Sequence, residues 1–175
     1  EADRKIPQIV NGSINLSAVS FNDRTTVSLG GNWYFWPDVF LSPSEARTQI
    51  AQGYRATQAV PGIWSSTGVT GSVSKLSKGG TLALKLTMPP DRRDWAIRLP
   101  NANSACELYI DGRYAASIGT VGTTTHSSIP SNGLKTVNFS ADSNTVLLVL
   151  RVSNFHTPYT GTWASPTIGT PEAIE

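Results

Sequence analysis

The sequence predicts an all-β domain, an antiparallel sandwich with one short helix. Many short segments alternate apolar and polar residues, as a strand with one buried face does. Turn-forming pairs such as Asp111-Gly112 separate these segments at frequent intervals. The chain has 175 residues with no internal repeat or linker, so we expect one domain over residues 1–175, with residues 1–24 as a lead-in segment.

The most apolar segment, Thr145 to Asn154, predicts the central strand. Apolar residues occupy both of its faces: Val146, Leu148, Leu150 and Val152 on one, Leu147 and Val149 on the other. A run that is apolar on both faces is typical of a strand covered on both sides. We therefore expect this strand in the middle of a sheet, with its polar end, which includes Arg151 and Asn154, at the rim of the core.

One segment has the residues that start and stop a helix. Ser42 is a candidate N-cap, Pro43 suits the first helical position, and Glu45 completes a capping box. Gly53 offers a C-terminal stop. These residues predict a short helix over Pro43 to Gln52.

The remaining strands are predicted from period-two patterning and turn residues. An Asp-Gly pair between two such segments indicates a tight hairpin at Asp111-Gly112. An aromatic group precedes the helix, and core packing is favoured over a ligand platform for it. The predicted segments are Thr26–Trp36, Thr81–Met88 as a half-buried strand, Trp95–Leu99, Ala105–Ile110, Arg113–Ile118, Leu134–Phe139 and Pro166–Ile168.

Composition and charge exclude several classes of function. Charged residues make up 15% of the chain, below the roughly 25% of average soluble domains, as in secreted or periplasmic β-proteins. The net charge of +2, from 14 basic and 12 acidic residues, is too small for the basic surface that nucleic-acid binding requires. No apolar stretch approaches the about 20 residues of a membrane span. The single Cys106 shares a strand face with Leu108 and Ile110, which predicts a buried structural thiol.

The sequence lacks the usual constellations of catalytic residues. His126 and His156 lie in separate loops, and no nucleophile elbow, phosphate loop or Cys/His metal spacing is present. Asp91 and Asp94 are more typical of a solvated turn than of a glycosidase acid/base pair, although a structural Ca²⁺ at a loop carboxylate stays open. We therefore expect no enzyme activity, no catalytic residue, no metal site and no cofactor.

Several segments in order along the chain resemble the extracellular sensory domain of bacterial seven-transmembrane receptors with diverse intracellular signalling modules. The matching segments are Val27–Trp36 with Leu41–Pro43, Val60–Trp64, Leu108–Arg113 running to Gly119–Gly122, Leu148–Phe155 and Ile168–Gly169. The resemblance implies a galactose-binding-like jelly-roll β-sandwich. It also implies a position on the periplasmic or extracellular face of the cytoplasmic membrane, with a membrane segment after Glu175.

The chain departs from the receptor pattern at one loop, and two of its motifs also resemble a second family. The receptor family continues with basic residues and a Gly-Gly after the Ser-Asn-Phe, whereas this chain has His156 to Gly161. The Val-Pro-Gly-x-Trp turn and the Tyr-x-Asp-Gly hairpin also resemble the sugar-binding jelly roll at the front of family 2 glycosidases.

The first hypothesis is a non-catalytic domain that senses a small ligand, a carbohydrate or another small polar molecule, with no nucleic-acid partner. Sugar sites pair an aromatic face with a few directed polar groups, and the loops supply both. The predicted ligand-binding residues are Trp64, Arg151, Asn154, His156, Tyr159 and Trp163. For Trp64 and Trp163, capping of the sandwich ends is the structural alternative. The other hypotheses are an accessory sugar-binding jelly roll of a glycoside hydrolase, and a protein-interaction or dimerisation module without a small ligand, for which a homodimer is the expected partner.

Overall fold

A computed structural model describes residues 6–63, 79–100, 102–155, 161–162 and 164–175. The described helices are α1 (Pro43–Ala51) and α2 (Pro171–Ile174). The described strands are β1 (Ser13–Asn15), β2 (Thr26–Ser28), β3 (Gly31–Pro37), β4 (Thr57–Val60), β5 (Gly62–Ile63), β6 (Gly79–Thr87), β7 (Asp94–Pro100), β8 (Ala102–Asn103), β9 (Ala105–Ile110), β10 (Arg113–Ile118), β11 (Leu134–Ser140), β12 (Thr145–Ser153), β13 (Gly161–Thr162) and β14 (Thr167–Gly169). None of the helices in these ranges is long and apolar enough to cross a membrane.

Two sheets pack face to face. The large sheet has the strand order β10-β9-β12-β6-β3-β4, with β1 pairing in parallel to β6. The small sheet has the order β11-β7-β14-β2. The strands β5, β13 and β8 form a third, short ladder. The other described pairings are antiparallel. The all-β jelly-roll sandwich predicted from the sequence is confirmed.

The central strand of the large sheet is β12, as predicted. It pairs with β6 along its whole length and with β9 from Leu148 to Ser153. Its inner face points at the small sheet, where its apolar residues pack with Trp33 of β3 and Trp95 of β7, both fully buried. Burial of large apolar side chains between the two sheets is the main source of stability in such a sandwich.

Helix α1 covers one half of the outer face of the large sheet. The predicted N-cap is confirmed, since the Ser42 hydroxyl accepts a hydrogen bond from the Glu45 amide at 3.2 Å. Trp36 stacks on Tyr54 with ring centroids 4.6 Å apart, and its indole N–H donates to Gln49 at 2.7 Å. We call this region the helix-covered half; its buried residues are Trp36, Leu41, Ala46, Ala83, Leu147 and Val149.

Three features differ from the sequence prediction. Strand β6 is not half-buried, because α1 and the segment before it cover the outer face, where Thr81 and Ala83 are fully buried. The segment Thr26–Trp36 is divided between the sheets, since β2 lies in the small sheet and β3 in the large one. A second helix, α2, starts at an N-cap, Thr170, that was present in the sequence but overlooked.

The predicted hairpin joins β9 to β10 and is confirmed. Asp111 and Gly112 both have positive φ, 49° and 82°, as a type I′ turn requires. Cys106 of β9 is buried and makes no disulfide, as predicted. Burial raises the pKa of its thiol, so the group is a neutral part of the core.

Candidate ligand-binding site

The strand register sets a row of polar side chains across the outer face of the large sheet, beside the helix-covered half. Glu107 of β9 lies opposite Arg151 of β12 on one side and opposite Ser117 of β10 on the other. Arg151 in turn lies opposite Thr81 of β6. Directly opposed residues on one face of a sheet are close enough to interact, so the register alone brings these groups together.

Arg151 is the centre of this row. Its Nη1 lies 3.7 Å from Glu107 Oε2 and donates a hydrogen bond to the Tyr109 hydroxyl at 3.4 Å. The Tyr109 hydroxyl donates in turn to Glu107 Oε2 at 2.8 Å. The guanidinium carbon is 5.7 Å from the centre of the Phe40 ring and 5.8 Å from that of Tyr109. Arg151 and Glu107 are therefore half-buried, with side chains 25% and 19% exposed.

Several hydrogen-bonding atoms of this row have no partner among the described residues. The Nε of Arg151 is buried and makes no hydrogen bond within that part of the chain. Its Nη2 and the Oε1 of Glu107 also make none with the described residues. Buried polar atoms are usually satisfied, so the unpaired Nε is unusual, and Nη2 is the nitrogen of this guanidinium that a ligand can reach. The row therefore offers donors and an acceptor to a small polar molecule.

Tyr114 of β10 places an aromatic ring beside the polar row. It is 60% exposed, and its ring meets Tyr109 edge to face with centroids 6.0 Å apart. Its hydroxyl bonds to Ser117 Oγ at 2.7 Å, which directs the ring along the strand toward Glu107. We call the whole set the outer-face cluster: Phe40, Glu107, Tyr109, Tyr114, Ser117 and Arg151.

The protonation of Tyr109 favours its role as a donor. Burial raises the pKa of its hydroxyl above the usual value, and the hydrogen bond to Glu107 and the charge of Glu107 raise it further, while Arg151 opposes this rise. The hydroxyl is therefore protonated at neutral pH and holds the carboxylate of Glu107 in place.

A cavity of about 510 Å³ lies at the end of the central strand. Its size is within the range of small-molecule sites. The ring of Phe40 belongs to both the cavity and the outer-face cluster, so the two are neighbours. The described residues that line this strand-end cavity are Asp38, Val39, Phe40, Gly79, Thr123 and Phe155.

Buried hydroxyl groups hold the chain together just beyond Arg151. Ser153 Oγ bonds to Ser128 Oγ at 2.8 Å and accepts from the Gly122 amide at 3.2 Å. Ser153 and Ser128 are almost completely buried. These bonds tie the loop between β10 and β11, which includes the cavity residue Thr123, to the end of β12.

The sequence predicted six ligand-binding residues, and the structure describes two of them. Arg151 lies at the centre of the outer-face cluster. Asn154 is fully buried, so its side chain lies beneath the surface in this structure. The other four predicted residues, Trp64, His156, Tyr159 and Trp163, lie outside the described residues. Their role stays a prediction.

The sequence reasoning missed Phe40, Glu107, Tyr109 and Tyr114. One clue was present, because Cys106, Leu108 and Ile110 face the core and the residues between them must face the other way. The pairing of β9 with β12, which places Glu107 beside Arg151, is long-range and left no mark in the local pattern.

The described residues contain no group of three or more His, Cys, Asp or Glu side chains that could hold a metal ion. Of the carboxylate pair considered from the sequence, Asp91 and Asp94, the second begins β7 at an exposed position. Its Oδ1 accepts a long hydrogen bond from Ser140 Oγ at 3.4 Å.

No protein-family model and no curated protein matches the chain. Solved structures do share its fold. A GH2 β-galacturonidase from Eisenbergiella tayi bound to galacturonate matches with a TM-score of 0.57 and 13% identity, over 89% of this chain and 26% of that one. Bacteroides uniformis β-glucuronidase 2 matches with a TM-score of 0.60 and 15% identity, over 84% of this chain and 18% of that one.

A further match is Ruminococcus gnavus β-glucuronidase, with a TM-score of 0.57 and 13% identity over 85% of this chain and 29% of that one. The chain thus spans between about a sixth and a third of the length of these enzymes. At this level of identity the likeness shows the jelly-roll fold.

Proposed function

We propose that this domain is a non-catalytic carbohydrate-binding jelly roll that accompanies a glycoside hydrolase. The observation that carries the proposal is the outer-face cluster. It combines an exposed aromatic ring, Tyr114, with the half-buried pair of Arg151 and Glu107, whose Nη2 and Oε1 have no hydrogen-bond partner among the described residues. Carbohydrates have an apolar C–H face and directed hydroxyls, and sites of this composition recognise both.

The position of the cluster also supports binding. Glu107, Tyr109 and Arg151 are on two central strands of the large sheet, β9 and β12, rather than on loops. Side chains on a rigid sheet lose little conformational freedom when a ligand binds, which favours affinity for a small molecule. The adjoining strand-end cavity provides room for a further part of the ligand.

The fold supports the association with glycoside hydrolases. The structures of similar fold belong to GH2 β-galacturonidase and β-glucuronidases, and the region in common is a minor part of each enzyme. A sugar-binding module next to a catalytic domain accounts for both facts.

The receptor resemblance stays a prediction, as do the periplasmic location, the membrane segment and the homodimer. The gene context separates the hypotheses, since a downstream barrel domain supports the hydrolase and downstream membrane helices support the receptor.

A thermal-shift screen tests the binding function. Mono- and oligosaccharides, polyols and, as a non-sugar comparison set, amino acids are added to the purified domain. A sugar at about 100 times its Kd should stabilise the fold by roughly 2.7 kcal/mol, a rise of about 5–10 °C in melting temperature for a domain of this size. If only amino acids, or no compound at all, raise the melting temperature, the carbohydrate proposal is wrong.

A second measurement tests the non-catalytic part of the proposal. The isolated domain is incubated with nitrophenyl glycosides and glucuronides, and release of nitrophenol is followed. We expect no turnover. Turnover that disappears on Glu107→Gln would show that the cluster is an active site instead.

A further inference from the structure

We infer that the outer-face cluster selects an uncharged sugar and recognises it through two adjacent hydroxyl groups. This inference rests on the proposed function and narrows the ligand of the same site. It follows from which atoms of Arg151 and Glu107 are already bonded and which are free.

The free atoms include both donors and an acceptor. Arg151 uses Nη1 for Glu107 and Tyr109, and its Nε is buried, which leaves the two N–H groups of Nη2 to donate to ligand oxygens. Glu107 uses Oε2 for both of its contacts, which leaves Oε1 to accept. Two neighbouring sugar hydroxyls satisfy this set, because each hydroxyl accepts one hydrogen bond and donates another.

A carboxylate fits the same atoms less well. It accepts from Arg151 Nη2 but has no proton for Glu107 Oε1, so two negative groups would lie near one cation. The charge of Arg151 is already balanced by Glu107 at 3.7 Å, and Tyr109 holds that carboxylate in place. Like charges in a half-buried site repel each other more strongly than in water. The cluster therefore discriminates against acidic sugars by repulsion.

The aromatic residues orient the sugar ring. Tyr114 exposes 60% of its surface and lies along β10 toward Ser117, the residue opposite Glu107. A pyranose whose C–H face rests on Tyr114 directs its equatorial hydroxyls sideways, toward the row formed by Glu107 and Arg151. The ring centres of Phe40 and Tyr109 lie 5.7 Å and 5.8 Å from the guanidinium carbon, and the two rings restrict its movement.

The test compares sugars that differ in the oxidation state at C6. D-glucose, D-galactose and D-mannose are titrated into the ¹⁵N-labelled domain alongside D-glucuronate, D-galacturonate and D-mannuronate, and amide and arginine N–H resonances are followed by NMR. We expect the best neutral sugar to bind about tenfold or more tightly than its uronate. It should also shift the Arg151 Nε–H resonance.

Two variants examine the residues. Glu107→Gln removes the negative charge but keeps an acceptor oxygen, so neutral-sugar binding should fall a few-fold at most while the preference over the uronate shrinks to about threefold or less. Arg151→Lys keeps the charge but removes the planar fork, and should weaken neutral-sugar binding about tenfold. The matched control is Arg47→Gln, an exposed arginine of α1 in the helix-covered half, which should change neither value.

The outcomes separate the two levels of the proposal. If the uronates bind as tightly as the neutral sugars or more tightly, the inference is overturned while the carbohydrate-binding function stands. The same holds if sugars bind but neither variant changes affinity or selectivity. If no sugar in either set binds, the proposed function fails, and the inference fails with it.

Discussion

The outer face of the large sheet has two halves, and they differ in how their side chains are covered and bonded. In the helix-covered half, α1 buries Trp36, Ala83 and Leu147 under apolar contacts. In the other half, which we call the open half, no helix lies on the sheet within the described residues, and the outer face carries Glu107 and Arg151 instead. The helix-covered half therefore buries apolar side chains against α1. The open half instead holds charged side chains that are half-buried and incompletely hydrogen-bonded.

This difference between the two halves indicates which one is the better candidate for a binding site. Half-buried charges contribute little to stability compared with well-packed apolar residues, and unpaired donors destabilise the fold. A row such as that of Arg151 and Glu107 is therefore poorly explained by stability alone. The ligand that we propose would complete its hydrogen bonds and so account for it.

The largest expected effect distinguishes the two halves by stability. Trp36→Ala removes a buried ring that stacks on Tyr54 and bonds to Gln49, and should lower the free energy of unfolding by about 3–5 kcal/mol. Tyr114→Ala, in the open half, should lower it by only about 0.5 kcal/mol because its side chain is exposed. Urea denaturation measures both. Similar losses from the two substitutions would remove the distinction.

An intermediate effect concerns the charged pair. Glu107→Leu alone leaves Arg151 half-buried without its counter-charge and should cost about 1–3 kcal/mol. Adding Arg151→Met removes both charges. The double variant should then lose less unfolding free energy than the two single variants together, by about 1 kcal/mol or more. A double-mutant cycle in urea provides these values. Strict additivity would show that the two side chains are not coupled.

The smallest expected effect is the alkaline dependence of Tyr109. Because its pKa is raised in the folded protein, the stability that its neutral hydroxyl contributes is fully present below the unfolded pKa of about 10 and is lost as pH rises through the folded value. Tyr109→Phe cannot ionise, so it should lose less stability between pH 9 and pH 11 than the parent. Tyr34→Phe, on the helix-covered half, serves as the comparison, and equal losses in all three proteins would contradict the assignment.

Much of the fold was predictable because its cues are local. The double-faced apolar run of β12, the cap at Ser42 and the Asp111-Gly112 turn each depend on a few adjacent residues, and each is confirmed. The burial of Thr81 and Ala83 was not predictable from period two, since it depends on the helix that packs over them.

The site was harder to predict because its side chains come together only through long-range strand pairing. Arg151 was found from the polar end of the central strand, but its partners come from β9 and from the segment before α1. Glu107 is 44 residues from Arg151 in sequence, and only strand pairing brings the two together. Long-range register leaves no trace in a single sequence, whereas the chemistry of each residue does.

The proposed binding of glycans by the outer-face cluster is tested most directly on a glycan array with three proteins: the parent domain, Tyr114→Ala and Arg47→Gln. Both positions are exposed, so both variants should fold, and their melting temperatures confirm this. We predict that the parent and Arg47→Gln bind the same glycans, and that Tyr114→Ala loses them by about tenfold or more in apparent affinity. Glycan binding by Tyr114→Ala equal to that of the parent would contradict the assignment of the site to the outer-face cluster.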